Sequence, residues 1–391
     1  MDAEKVAEKA TGNEEIIRRI YTLYKKRCNT KNFVLDTNLF EQKEFIEESK
    51  TICYKFFEKY IEKEINNAKL QVHFVNDNKL NALAFYLENN PIICINIGCL
   101  LNIQHYSSLL TTDKEFFPEI GNLLKCTKTV KLSECFPPKI KVTKSGLYKI
   151  YIYNGIDDKS RRRVASLITI FAHSFLLFHE LGHHIYGHTK YLEKVYGVSY
   201  LKAAENKNEN VNDVECLTIQ CMETHADAFA VRQLLQIVVP QVDAFFDFEI
   251  FVESNNKFKL MLEILISSLC LVSILMEEDG INETNFKTEY YLPQRLRLDL
   301  MLRYFKSYLI NDYDNEFSEY CNKMEDITDT IARIYQKLRT IIFQIREEPD
   351  DNADERFLFD DAINEYYRND ILKHWNKIKK ELIPYAIVEE V

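Results

Sequence analysis

From Val164 the chain reads ASLITIFAHSFLLFHELGHHIYGH, with apolar positions three and four apart and no helix breaker before Gly182. The spacing predicts a long helix that enters an apolar core and ends at Gly187. Residues 203–213 (AAENKNENVND) form a polar loop. Asp213 is placed to cap a second helix, VECLTIQCMETHADAFAVRQLLQIVV, which stops before Pro240. Helical spacing also covers 258–276, 293–309, 316–346 and 357–382, and the charged, aromatic-punctuated stretch 14–68. Between about residues 70 and 155 the period changes. LQVHFV, NALAFYL, IICINIG, KIKVTKS and GLYKIYIYNG are short apolar runs split by Asn, Asp, Pro and Gly, the punctuation of strands and hairpins.

Helices, a small sheet and many more helices predict an α+β fold, mostly helical, with a small antiparallel or mixed sheet. The expected organisation is a helical N-terminal region (1–68), a central domain (69–310) and a helical C-terminal region (311–391). In the last, EEPDDNADE (347–355) is an acidic, Pro-broken linker.

Composition narrows the function. The chain has 391 residues, 46% hydrophobic and 28% charged, as a folded globular protein does. Gly (9) and Pro (8) are scarce, which excludes collagen-like and Pro-rich architectures and favours long regular elements. Fifty Lys and Arg against 60 Asp and Glu give −10, so no nucleic-acid partner is expected. The basic run Lys159–Arg163 reads as a solvated turn. Leu260–Met276 is the most apolar stretch, but it is short for a membrane span and carries Glu263, so it reads as a buried helix and no membrane partner is expected. Ten Cys without a CxxC pair, and a polar start without an apolar signal core, predict reduced thiols and a cytoplasmic location.

The candidate chemistry lies in His179-Glu180-Leu181-Gly182-His183. Helical positions four apart are about 40° apart around the axis, so both imidazoles can reach one cation. Glu180, one step round, stands beside that cation and can take a proton from water. Farther on comes Glu223-Thr224-His225-Ala226-Asp227. Two carboxylates on one buried helical face need a reason, because an unpaired buried carboxylate is costly. A shared reason is Glu223 as third ligand and Asp227 as acceptor of a ligand imidazole's other N–H; surface carboxylates on an amphipathic helix are the plainer alternative. His188 is a lesser candidate ligand. His184 reads as a packing or hydrogen-bonding residue at the helix end, His225 as structural, and His173 lies off the metal face. Gly182 reads as a point of close approach by a neighbouring element.

HELGH…ExxAD resembles the gluzincin metallopeptidases. The resemblance implies zinc, one per chain, bound by His179, His183 and Glu223, with Glu180 as general base and Asp227 behind the ligands. Within that group, Asn81-Ala82-Leu83-Ala84 is similar to a strand of HtpX-type peptidases, ETHADAFAVRQLL to ImmA/IrrE-type peptidases, and HELGHHIYGH to the Lit phage-exclusion peptidases. The resemblance covers about 70–240, with an extension to YLPQRLR (291–297). It implies that Asn81, Ala82, Leu83 and Ala84 form an edge strand that pairs with extended substrate. It leaves the oxyanion donor open among Tyr290, Tyr291, Arg295 and Arg297. The chain lacks clear transmembrane helices of the HtpX kind and a helix-turn-helix companion of the ImmA/IrrE kind. The expected function is soluble, zinc-dependent endoproteolysis of a selective intracellular protein, in stress response, regulation or phage defence. The alternatives are a non-catalytic zincin scaffold that binds a partner, and a membrane-associated peptidase.

Overall fold

The computed structural model describes residues 35–48, 50–51, 64–65, 68–87, 90–113, 116–118, 120–121, 137–153, 156, 158–197, 216–246, 257–276, 287, 291–313, 324–346 and 365–387. Most of the helices expected over 14–68, the 203–213 loop with Asp213, the 347–355 linker and Tyr290 lie outside these residues.

A two-residue ladder joins Glu64–Ile65 (β1) to Ala68–Lys69 (β2), so the end of the 14–68 stretch is extended where helix was expected. The next three apolar runs become Gln71–Val75 (β3), Ala82–Leu87 (β4) and Asn90–Asn96 (β5). Their order is β3-β5-β4, with β3 parallel and β4 antiparallel to β5. β5 is central because its segment Pro91–Asn96 is buried throughout, as a strand covered on both faces must be. The sheet runs straight into a helix that the sequence did not suggest, Ile97–Leu110 (α1). This helix is buried on nearly every side, so it carries no polar stripe to betray a helical period. Lys139–Val142 (β6) and Tyr148–Tyr151 (β7) form a separate antiparallel hairpin.

The longer helices that follow are Lys159–Ile185 (α2), His188–Tyr196 (α3), Cys216–Val238 (α4), Lys257–Leu275 (α5), Gln294–Asp312 (α6), Met324–Arg346 (α7) and Leu372–Leu382 (α8), with a short helical turn at Val242–Phe246 after α4. The fold is therefore mostly helical α+β, as the sequence predicts.

The basic run at the start of α2 is not a solvated turn. Asp158 caps the helix by accepting from Arg161 N at 3.0 Å. The Arg161 side chain, 1% exposed, turns inward and donates to the carbonyls of Thr111, Asp113, Phe116 and Phe117 at 2.7–3.2 Å. Those carbonyls follow α1, so one guanidinium ties the chain after α1 to the first turn of α2.

α2 and α5 are both long and apolar enough to cross a membrane, and both are largely buried in the fold. Glu263, the charge inside α5, pairs with Arg333 of α7 at 3.3 Å. Two apolar clusters organise the helices. The larger takes α1, α2, α5, α7 and the second half of α4. The smaller takes Ile219, Cys221 and Met222 from the first half of α4, Leu296 and Leu300 of α6, and Ile378 and Leu382 of α8. Glu223 and Asp227 stand where α4 changes from one cluster to the other. The described part of 311–391 thus contributes α7 to one cluster and α8 to the other.

α2 ends where its glycine requires. Gly187 is left-handed (φ 74°), which reverses the chain into α3. A Cβ there would lie 2.5 Å from the carbonyl carbon of Tyr385, and Ile387 N donates to Ile185 O at 2.8 Å. The segment after α8 therefore lies on the bare glycine. Gly187→Ala is expected to lower stability by about 2 kcal/mol or more, from the left-handed backbone and the displaced segment together. Denaturant unfolding measures the loss, and amide exchange at Ile387 reports release of the segment.

Candidate metal centre

α2 carries His179 and His183 on one side, four residues apart, and α4 crosses against that side. The crossing is close because residue 182 has no side chain: a Cβ on Gly182 would meet Phe229 Cδ1 at 3.2 Å and Ala226 Cα at 3.3 Å. The glycine thus serves the close approach expected of it. With the helices this near, Glu223 reaches both imidazoles.

His179 Nε2 and His183 Nε2 are 3.1 Å apart. Glu223 Oε2 is 3.3 Å from His179 Nε2, and Oε1 is 3.4 Å from His183 Nε2. All three residues are buried, and their donor atoms form a cluster that could hold a metal ion. Ligand bonds of about 2.0–2.1 Å at tetrahedral angles separate neighbouring donors by about 3.3 Å. The observed separations match that edge. Glu223 Oε2 is buried and, among the described residues, makes no hydrogen bond, but it lies within ion-pairing distance of His179 Nε2 and of the Arg297 guanidinium.

Asp227 occupies the position expected of it. Its Oδ1 lies 2.8 Å from His179 Nδ1, so Nδ1 carries the proton toward the carboxylate and Nε2 is left to face the cluster. Burial works against a charged His179, but Asp227 and Glu223 prevail over it and over Arg297, raising its pKa to about 9. Metal and proton therefore compete for this site.

The sequence placed Arg297 among the oxyanion donors, and the structure gives its guanidinium a different task. Nε and Nη2 grip Asp227 Oδ2 and Oδ1 at 2.5 and 2.8 Å, and Nη2 lies 3.1 Å from Glu223 Oε2. The fork is spent on the two carboxylates. Burial alone would raise both acids; Arg297 foremost, with the ligand imidazoles, holds Glu223 well below the usual carboxylate range and lowers Asp227 too. The signal for this role was in the sequence: two buried carboxylates require a cation.

Arg295 is buried two residues earlier, about 200° round the helix from Arg297. Tyr291 packs into the smaller cluster with Leu292 and Leu296.

Glu180 is 6% exposed, and no hydrogen bond or ion pair engages its carboxylate among the described residues. Burial raises its pKa, with Glu223 adding to the rise and the ligand imidazoles and Arg297 opposing it. A buried carboxylate of raised pKa beside a cluster that could hold a metal ion is suited to carrying a proton.

β4 is the outer strand of its sheet, where the edge reading of Asn81–Ala84 puts it. Asn81 N donates to Cys99 Sγ at 3.2 Å, and the charge of Glu180 acts on that thiol. Ala82–Ala84 are at most 3% exposed.

His184 bonds Ile92 O at 3.1 Å and stands 3.2 Å from Thr189 Oγ1, at the helix end as expected. His188 is no ligand; it contacts His183 from behind, with Nδ1 atoms 3.1 Å apart. Cys94, Cys99, Cys216, Cys221 and Cys270 are free thiols.

The chain was compared with family models, curated proteins and solved structures. No match was found in any of the three. The functional reading therefore rests on the cluster itself.

Proposed function

We propose that this chain is a zinc-dependent endopeptidase of gluzincin type that cleaves an intracellular protein substrate. The observation that carries the reading is the 3.1–3.4 Å spacing of the nearest donor atoms of His179, His183 and Glu223, with the buried Glu180 carboxylate close enough for its charge to act on all three. Two imidazoles and one carboxylate suit zinc and leave a coordination position open for chemistry. Bound zinc supplies Lewis acidity toward a scissile carbonyl and lowers the pKa of water. Glu180 takes the proton of the attacking water on a carboxylate oxygen and returns it to the leaving amide nitrogen. Asp227 holds His179 in the ligand tautomer, and Arg297 holds Asp227 and Glu223.

Purified protein should contain about one zinc per chain by elemental mass spectrometry, consistent with the His2Glu donor set. Removing it with phenanthroline should abolish cleavage, and added zinc should restore it. Substrates are found by mapping new protein N-termini in cells that express the wild type against cells that express Glu180→Gln. A non-catalytic scaffold would hold the metal and yield no such termini.

A further inference from the structure

The two ligand imidazoles are held in different ways. His179 Nδ1 meets a carboxylate, Asp227, whereas His183 Nδ1 meets another imidazole, His188, at 3.1 Å. The contact exists because left-handed Gly187 folds the chain back, so that the first residue of α3 returns to the last turns of α2. His188 is 0% exposed. Its far nitrogen, Nε2, lies 3.4 Å from Nδ1 of His225 on α4. Trp375 of α8 closes the row, with its ring 4.0 Å from His225 and 6.2 Å from His188 between centroids.

Proton positions along this row follow from the cluster. A neutral imidazole that offers Nε2 to a cation carries its hydrogen on Nδ1. His183 therefore donates from Nδ1, and His188 Nδ1 must be the bare acceptor. That puts the His188 hydrogen on Nε2, facing His225 Nδ1.

We propose that His188 is a positioning residue, which accepts the His183 Nδ1–H and so fixes the tautomer and ring orientation of that ligand, and is itself held by His225 and Trp375. This rests on the zinc reading above. Its partner is an imidazole where that of His179 is a carboxylate, so His183 is the less strongly polarised of the two ligand imidazoles, and helix α8 supports the metal centre through Trp375. Loss of such a partner weakens metal affinity by about 10- to 100-fold.

The test is zinc affinity by competition with a chromophoric chelator, on full-length wild type, His188→Ala, His188→Leu and His188→Asn, with apo-protein unfolding recorded for each. An Asn side-chain oxygen can stand near the position of His Nδ1 and accept the same hydrogen bond; Leu only fills space. Ala and Leu should bind zinc about 10- to 100-fold more weakly, and Asn should recover most of the loss. Wild type that binds no zinc overturns the reading of the centre. Wild type that binds zinc, with all three variants equal to it, overturns the role of His188 alone, and so does an Asn variant as weak as Leu. Should the variants not fold, long-range ¹H–¹⁵N spectra of histidine-labelled wild type decide. The proposal expects His188 protonated at Nε2, and a proton at its Nδ1 overturns it.

Discussion

Glu180→Gln is expected to lower peptide cleavage by roughly 10²- to 10⁴-fold, the share that a positioned general base contributes, while zinc content and unfolding midpoint stay near wild type. The separation follows from geometry. Glu180 lies next to His179 in sequence but not in the ligand triangle, whose members are His179, His183 and Glu223. Among the described residues no partner loses a hydrogen bond when its carboxylate becomes an amide, so fold and metal should be indifferent to the change. Glutamine cannot take a proton from water at neutral pH, so turnover should not be indifferent. Two measurements on one preparation check it: elemental analysis, and cleavage of a protein substrate identified from new N-termini. Full turnover in the variant would remove Glu180 from the mechanism. Equal loss of zinc and activity would make it a ligand-shell residue instead. His183→Ala is the contrast, because it should lose both together.

How far the sequence reached depends on whether a feature announces itself locally. The helix of His179 and His183 was legible because its apolar stripe has a clear period and a glycine stop. Glu223 and Asp227 were legible because carboxylates four apart on an apolar helix are costly without a purpose. α1 was illegible for the opposite reason: it is buried nearly all round, so its polar residues mark no exposed stripe, and its first residues continue the run of β5. The basic run Lys159–Arg163 misled because composition cannot tell a guanidinium in water from one that serves four carbonyls inside the fold. Tertiary neighbours decide that, and they come from residues some fifty positions earlier. His188 and Trp375 belong to the same class. Nothing in their local sequence links them, and only the left-handed turn at Gly187 and the docking of α8 bring them to one row.

Arg297→Leu should be the most destabilising single change at the centre. It deletes the positive charge between Asp227 and Glu223 and leaves two buried carboxylates uncompensated, a defect that costs about 3–5 kcal/mol when one partner of a buried ion pair is removed. The loss should be largest in metal-free protein, where among the described residues the imidazoles of His179 and His183 are the other basic groups paired with those carboxylates. Zinc should return part of it, since a cation bound by Glu223 restores positive charge to the site. The pH dependence has a definite sign. In the wild type the Asp227 and Glu223 pKa values are depressed, so their contribution is present at neutral pH and is lost as pH falls below the normal carboxylate range. In Arg297→Leu, burial acts without its main counterweight and raises both. Protonation then relieves the defect, and the gap between variant and wild type narrows as pH falls. Arg297→Lys keeps the charge but loses the two-pronged grip on Asp227, so it should fall between the two. Urea unfolding of the three proteins, with and without chelator and across pH, measures each comparison. An Arg297→Leu protein as stable as wild type in chelator would mean that the two carboxylates are not held together by this guanidinium. The preorganised centre would then need another source of positive charge.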